Sequence, residues 1–268
     1  MVNKIYAFIK KDFLIEASYK LAFIAGIFNT AVGLLIYYFI DKLFGNTITP
    51  HLREFGVNYF SYVLLSMAFF NYIGTGLGSF SSRISFEQTQ GTLESLLLTP
   101  TDSSVILASI GLWNLIFATI DMLIYIALGI FLFHIQFSDI NIVSVSVVLI
   151  LTIVTFSSLG ILSASFIIVF KKGNPLGWVF NTLTGLLGGV YFPISVMPVL
   201  LQAVAQCFPV TYAIRAMQLA VYRGYSLGQL KTECLVLLLF SVLLVPLSLS
   251  AFNYALTKAR RNGSLLQY

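Results

Sequence analysis

The sequence predicts an all-α integral membrane protein: six transmembrane helices, an N-terminal interfacial helix, and a re-entrant hairpin at the outer face between the fifth and sixth spans. Three observations predict it. Apolar residues fill 58% of the 268 positions and charged residues only 9%, against roughly a quarter in soluble domains. Apolar runs at 21–40, 57–80, 104–133, 141–170, 176–192 and 234–256 reach or approach the roughly 20 residues that cross the hydrocarbon. Finally, the basic residues sort onto two sides under six crossings.

Residues 1–20 carry Ile5, Ile9 and Phe13 at helical spacing, with Lys4, Lys10 and Lys11 on other faces, the pattern of an interfacial helix. A charged tail that only orients the first span satisfies the same pattern. No small-x-small cleavage site follows the first apolar run, so that span is expected to be retained. Six crossings place Lys4, Lys10, Lys11, Lys20, Arg83, Lys171, Lys172, Lys258, Arg260 and Arg261 on one side, ten of the 15 Lys and Arg. Lys42, Arg53, Arg215, Arg223 and Lys231 lie opposite. Basic excess marks the cytoplasm, which puts both termini inside.

The piece at 194–207 is too short to cross, since 14 helical residues rise only about 21 Å. Pro193, Pro198 and Pro209 bracket or break it, so it enters and leaves by one face. A seventh crossing there would carry Lys258, Arg260 and Arg261 outside. With no repeat or low-complexity linker, residues 1–268 form one domain. Its parts are 1–20, a cytoplasmic loop at 81–103, and an outer segment at 193–230.

Several functions are excluded by what is missing. No basic block interleaved with aromatics suits nucleic acid. His51 and His134 are the two histidines, and no metalloprotease helix, nucleophile elbow or P-loop occurs, so no catalytic residue or metal site is assigned. Energy from ATP would have to come through another chain. Cys207 and Cys234 lack metal or disulfide-framework spacing.

Asp121 is the one acid deep in a span, and Asn114 shares its helical face. A charge at that depth costs enough that it normally faces protein or water. Asp121 and Asn114 could therefore line a translocation path, or a protonated Asp121 could join helices. Small-residue pairs, Ala22 with Gly26, Gly74 with Gly78, Gly160 with Ala164 and Gly185 with Gly189, permit close helix packing.

Two segments stand above this background. In the inside loop, Ser85 to Glu87 start an amphipathic turn and Gly91 breaks it. Thr92 then caps a second short helix, with Leu93, Leu96 and Leu97 on one side and Pro100 as its stop. Such a helix would serve as a lever for a partner or lie on the lipid surface. In the outer segment, Gly188 and Gly189 loosen the end of the fifth span, prolines break the chain, and Arg215 and Arg223 sit eight residues apart on an amphipathic helix. That suits a gate or cavity lid, or a structural cap.

Taken together, Glu87, Gly91-Thr92-Leu93-Glu94 and Thr99-Pro100, followed by Phe192-Pro193, Met197-Pro198, Pro209, Tyr212, Arg215 and Gly224, resemble the membrane subunit of an ABC-2 type ATP-driven exporter. The likeness covers nearly the whole chain. It implies a homodimer or a pairing with a sister permease in the cytoplasmic (inner) membrane, in contact with membrane lipid. Two ATPase subunits would hold the ATP and Mg, with no cofactor on this chain. It also implies that Phe86, Glu87, Gly91, Thr92, Leu93, Glu94, Leu97 and Pro100 belong to a coupling helix against the ATPase. Gly188, Gly189, Phe192, Pro193, Pro198, Pro209, Tyr212 and Arg215 would form the outer hairpin or gate. Where many relatives carry further charges before this stretch, the chain has Gln88, Thr89 and Gln90.

The implied cargo is amphipathic or hydrophobic: a drug, a lipid or a lipid-linked molecule. Polysaccharide export on a lipid carrier uses the same architecture. A proton-coupled secondary carrier using Asp121 is the alternative of a different class.

Overall fold

A computed structural model describes residues 6, 9–11, 13–14, 17–45, 47–91, 103–137, 139–170 and 175–261. Eight α-helices are described: α1 Lys20–Leu43, α2 Tyr59–Thr89, α3 Ser103–Phe133, α4 Ile142–Phe170, α5 Pro175–Leu187, α6 Val199–Ala205, α7 Pro209–Tyr222 and α8 Lys231–Arg261. Short 3-10 turns cover Pro50–Leu52 and Ile194–Val196. No strand occurs among the described residues.

α1, α2, α3, α4 and α8 are long and apolar enough to cross a bilayer. The bent pair α6 and α7, turned by 90°, makes a sixth candidate if counted as one broken span. This departs from the expected fifth span at 176–192. The helix there, α5, has 13 residues, or about 20 Å of rise against about 30 Å of hydrocarbon. It ends because Gly189 takes φ +74°, a left-handed conformation that stops a helix and that L side chains rarely adopt.

The bundle is layered, with α2 packed between α3 and α4, and α8 against the far side of α4. Glycine sets the α2–α4 distance, because a Cβ on Gly160 would lie 2.6 Å from the Gly76 carbonyl oxygen. Polar contacts add register. Thr155 and Ser241 hydroxyls hydrogen-bond at 2.8 Å between α4 and α8, and the Tyr72 hydroxyl donates to the Leu149 carbonyl at 3.2 Å from α2 to α4.

α1 stands apart. Of its 24 residues only Leu34 and Asp41 are buried, although its end is tied down by the Asn58 amide, which donates to Asp41 at 2.8 Å. Asn58 also caps α2 by accepting from the Ser61 amide, so one side chain joins two spans.

The inside loop differs from its expectation at its start. Ser85, Phe86 and Glu87 belong to the last turns of a continuous 31-residue α2, not to a separate amphipathic turn. The i, i+4 pair of Arg83 with Glu87 at 3.1 Å supports those turns. Gly91, at φ +69°, then ends the helix. Of the N-terminal segment, residues 6, 9–11, 13–14 and 17–18 are described and helical, whereas the second short helix at 92–100 lies outside the described residues.

Candidate functional site

The end of the bundle that carries Arg53, Arg215 and Arg223 is built around α7. That helix departs from the amphipathic expectation, since 12 of its 14 residues are buried and Tyr212 and Arg215 are left at its surface. Pro209 starts it at a position where the missing amide proton is not needed. α7 packs against α2, α4 and α8. Gln218 donates from α7 to the Tyr62 carbonyl at 2.8 Å and to the Ser66 hydroxyl at 2.6 Å. Tyr222 donates to the Ser61 carbonyl at 2.7 Å.

A cavity of about 360 Å³ opens beside this helix. Gly188, Gly189, Pro193, Tyr212 and Arg215 line it, so five predicted gate residues from three segments meet at one place. Its floor is fixed by the Tyr62 hydroxyl, which donates to the Gly189 carbonyl. Gly188 allows α5 to approach α7, since a Cβ there would fall 2.7 Å from Val210 Cγ2. Phe192 packs beside Leu187, Met197 and Ala205 under the hairpin. Pro198 precedes α6 as its N-cap.

Arg215 organises the charges. Its guanidinium lies 2.7 Å from Glu54 and 3.2 Å from Glu233, joining the α1–α2 loop to α7 and α8. Arg223 donates to the carbonyls of Arg53 at 2.6 Å and Glu54 at 3.0 Å. His51 Nδ1 and Ser195 Oγ share a 3.1 Å hydrogen bond across to the 194–196 turn. These ties hold one loop over the cavity mouth.

Glu54, Glu233 and Gln218 were missed by sequence reasoning. A signal existed for the two acids: each is an acid on the side assigned to Arg215, and a buried or partly buried guanidinium needs a partner. For Gln218 there was none beyond its place in an apolar helix.

At the opposite end, Phe86 is exposed and the Glu87 side chain nearly buried. Thr92, Leu93, Glu94, Leu97 and Pro100 lie outside the described residues. Asn114 and Asp121 do not meet in one cavity. Asn114 is buried and borders a cleft between α2 and α3 with Arg83 and Trp113. Asp121 lines a separate cavity of about 200 Å³ between α1 and α3. Cys207 and Cys234 are both free, and no cluster of metal-ligating side chains occurs among the described residues.

These features define a multi-pass, helical membrane protein with a polar closure at one end of the bundle. Residues 3–222 match the family described as ABC-2 type transporter, and the chain belongs to that family. Among curated relatives, the inner membrane transport permease YadH of Escherichia coli K12 is 26% identical over 181 residues, which is 66% of this chain and 68% of that protein. The proteins of the same description from Escherichia coli O157:H7 and Shigella flexneri match to the same extent.

Proposed function

We propose that this chain is the permease of an ATP-driven exporter in the inner membrane. It moves an amphipathic or hydrophobic cargo, a drug, lipid or lipid-linked molecule, on energy supplied by two ATPase subunits. The family match over 3–222 carries this assignment, and the relatives named as transport permeases support it. The bundle adds five helices of spanning length with few charges inside, which suits a cargo that brings little charge of its own.

Both termini face the cytoplasm. ATP and Mg reside on the partner ATPase. A second permease copy, identical or a sister chain, completes the path, and the uncovered apolar surface of α1 offers area for that copy or for lipid. Nucleotide binding closes the ATPase pair and pushes the inside loop at 81–103, with Phe86, Glu87, Gly91, Thr92, Leu93, Glu94, Leu97 and Pro100 in the contact. The re-entrant hairpin at the far end then yields. Transport couples because cargo binds the inward and outward states with different affinity.

The test is copurification. The tagged chain, extracted in mild detergent, is expected to bring down a P-loop ATPase at near-equal stoichiometry, and changes within 87–100 should weaken the complex. Replacing Gly91 or Glu94 should uncouple hydrolysis from transport while membrane insertion persists. A stable preparation without any ATPase would favour the carrier that uses Asp121, whose cavity position supports that second scheme. In that case Asp121→Asn abolishes transport, and a clamped proton gradient sustains it after ATP depletion.

A further inference from the structure

Asp121 poses a problem of charge. It stands in the middle third of α3, within the stretch that has the length and hydropathy of a membrane span. Half-buried, it receives no hydrogen bond and no ion pair from any described residue. A carboxylate held there without a cation is costly. Its surroundings are built for something other than water: Tyr19, Phe23 and Phe117 share the cavity wall, with Thr30 as the added hydroxyl.

The same two phenylalanines, Phe23 and Phe117, also line a second, larger cavity of about 430 Å³. That cavity is almost wholly apolar, with Phe13 and Trp113 on its walls. The two cavities therefore adjoin at Phe23 and Phe117, within a groove between α1 and α3 that extends from the Lys20 end of α1 to its middle. Charge is ordered along it. Lys20 lines the apolar part and Asp121 the deep part, so an elongated cation is repelled at the rim and attracted at mid-depth. Aromatic faces beside a carboxylate are the chemistry that holds a desolvated organic cation. A small, strongly hydrated ion has too few polar partners there.

We infer that the α1–α3 groove binds an amphipathic organic cation, its charged centre at Asp121 and its apolar body between Phe23, Phe117 and Trp113. This names the cargo class for the permease assignment and rests on it. α1 is suited to such a wall, because it is sparsely packed against α2 and α3 and can admit a ligand sideways from the lipid.

The experiment compares tetraphenylphosphonium with tetraphenylborate, ions of matched shape and opposite charge. The full chain is purified with whatever subunits accompany it, and binding is measured by equilibrium dialysis with empty micelles subtracted. The wild type should prefer the cation by about tenfold or more, a factor that corresponds to about 1.4 kcal/mol. Asp121→Asn should erase that preference, Asp121→Glu should keep most of it, and Phe117→Leu should weaken both ions together. A cation preference that survives in Asp121→Asn, or none in the wild type, overturns the inference. ATPase copurification from the same preparations reports separately on the permease assignment. Its loss with the Asp121-dependent preference intact would overturn that assignment and leave the binding site standing.

Discussion

Among the described residues, Arg215 joins more elements of the closure at its end of the bundle than any other side chain, and its two partners differ in what they lose without it. Glu54 is half-exposed and can turn to water, whereas the Glu233 side chain is 7% exposed. A surface pair contributes about 0–1 kcal/mol, but a buried carboxylate deprived of its cation costs several times that. Arg215→Ala should therefore lower stability by about 1–2 kcal/mol, after allowing for the exposed half of the guanidinium. Glu54→Gln should cost well under half as much. Thermal unfolding of both variants in one detergent gives the comparison, and equal losses would refute the ranking. Arg215 itself was legible as a functional candidate through its spacing to Arg223 on an expected amphipathic helix and through the family resemblance. Its partners were not, since Glu54 and Glu233 are 179 residues apart in sequence and only the packing of α7 against α8 brings them to one guanidinium.

Among the elements, apolar run length told most of the truth about α1, α2, α3, α4 and α8. All five are within reach of the expected spans. The fifth expected span is where it fell short, since 176–192 is mostly apolar despite Asn181, Thr182 and Thr184, and run length does not register a left-handed turn at Gly189. The small-residue pairs divide similarly. Gly160 seats the α2 backbone, yet a Cβ added to Gly26, Gly74 or Gly78 would meet nothing within 4 Å, and the matching close approach comes from Gly76. Spacing identifies helices that could approach, not which face the fold turns inward. Gly160→Ala places a methyl against two backbone oxygens, at 2.6 and 2.8 Å, which cannot rotate away as a side chain would. The expected loss is about 1–3 kcal/mol, whereas Gly74→Ala, in open space, should be neutral or slightly stabilising through helix propensity. A melting comparison of the two variants that shows no difference would sink this account of the α2–α4 contact.

Over the whole molecule, the charge pattern that predicts sidedness also describes how the fold separates its polar groups. Arg215 and Arg223 bind the Arg53–Glu54 loop, Lys231 begins α8 beside Glu233, and Lys42 closes α1. All five basic residues assigned to the outer side thus gather at one end of the bundle. Arg83 and Lys258 belong to helix ends joined through the other apolar cluster, around Phe80, Ile84, Phe252 and Leu256. The cost of carrying a basic side chain through hydrocarbon makes such a partition persist during insertion. Which end faces the cytoplasm can be read with the native cysteines. Cys207 is exposed between α6 and α7, at the Arg215 end, while Cys234 is partly covered at the start of α8. In a Cys234→Ser background, a membrane-impermeant maleimide should label Cys207 in intact cells from which any outer barrier has been permeabilised. The thiol introduced by Lys258→Cys should react only after the inner membrane is opened. The reverse order would invert the molecule. It would move the Arg215 closure to the cytoplasm and remove the inside loop from reach of any cytoplasmic ATPase.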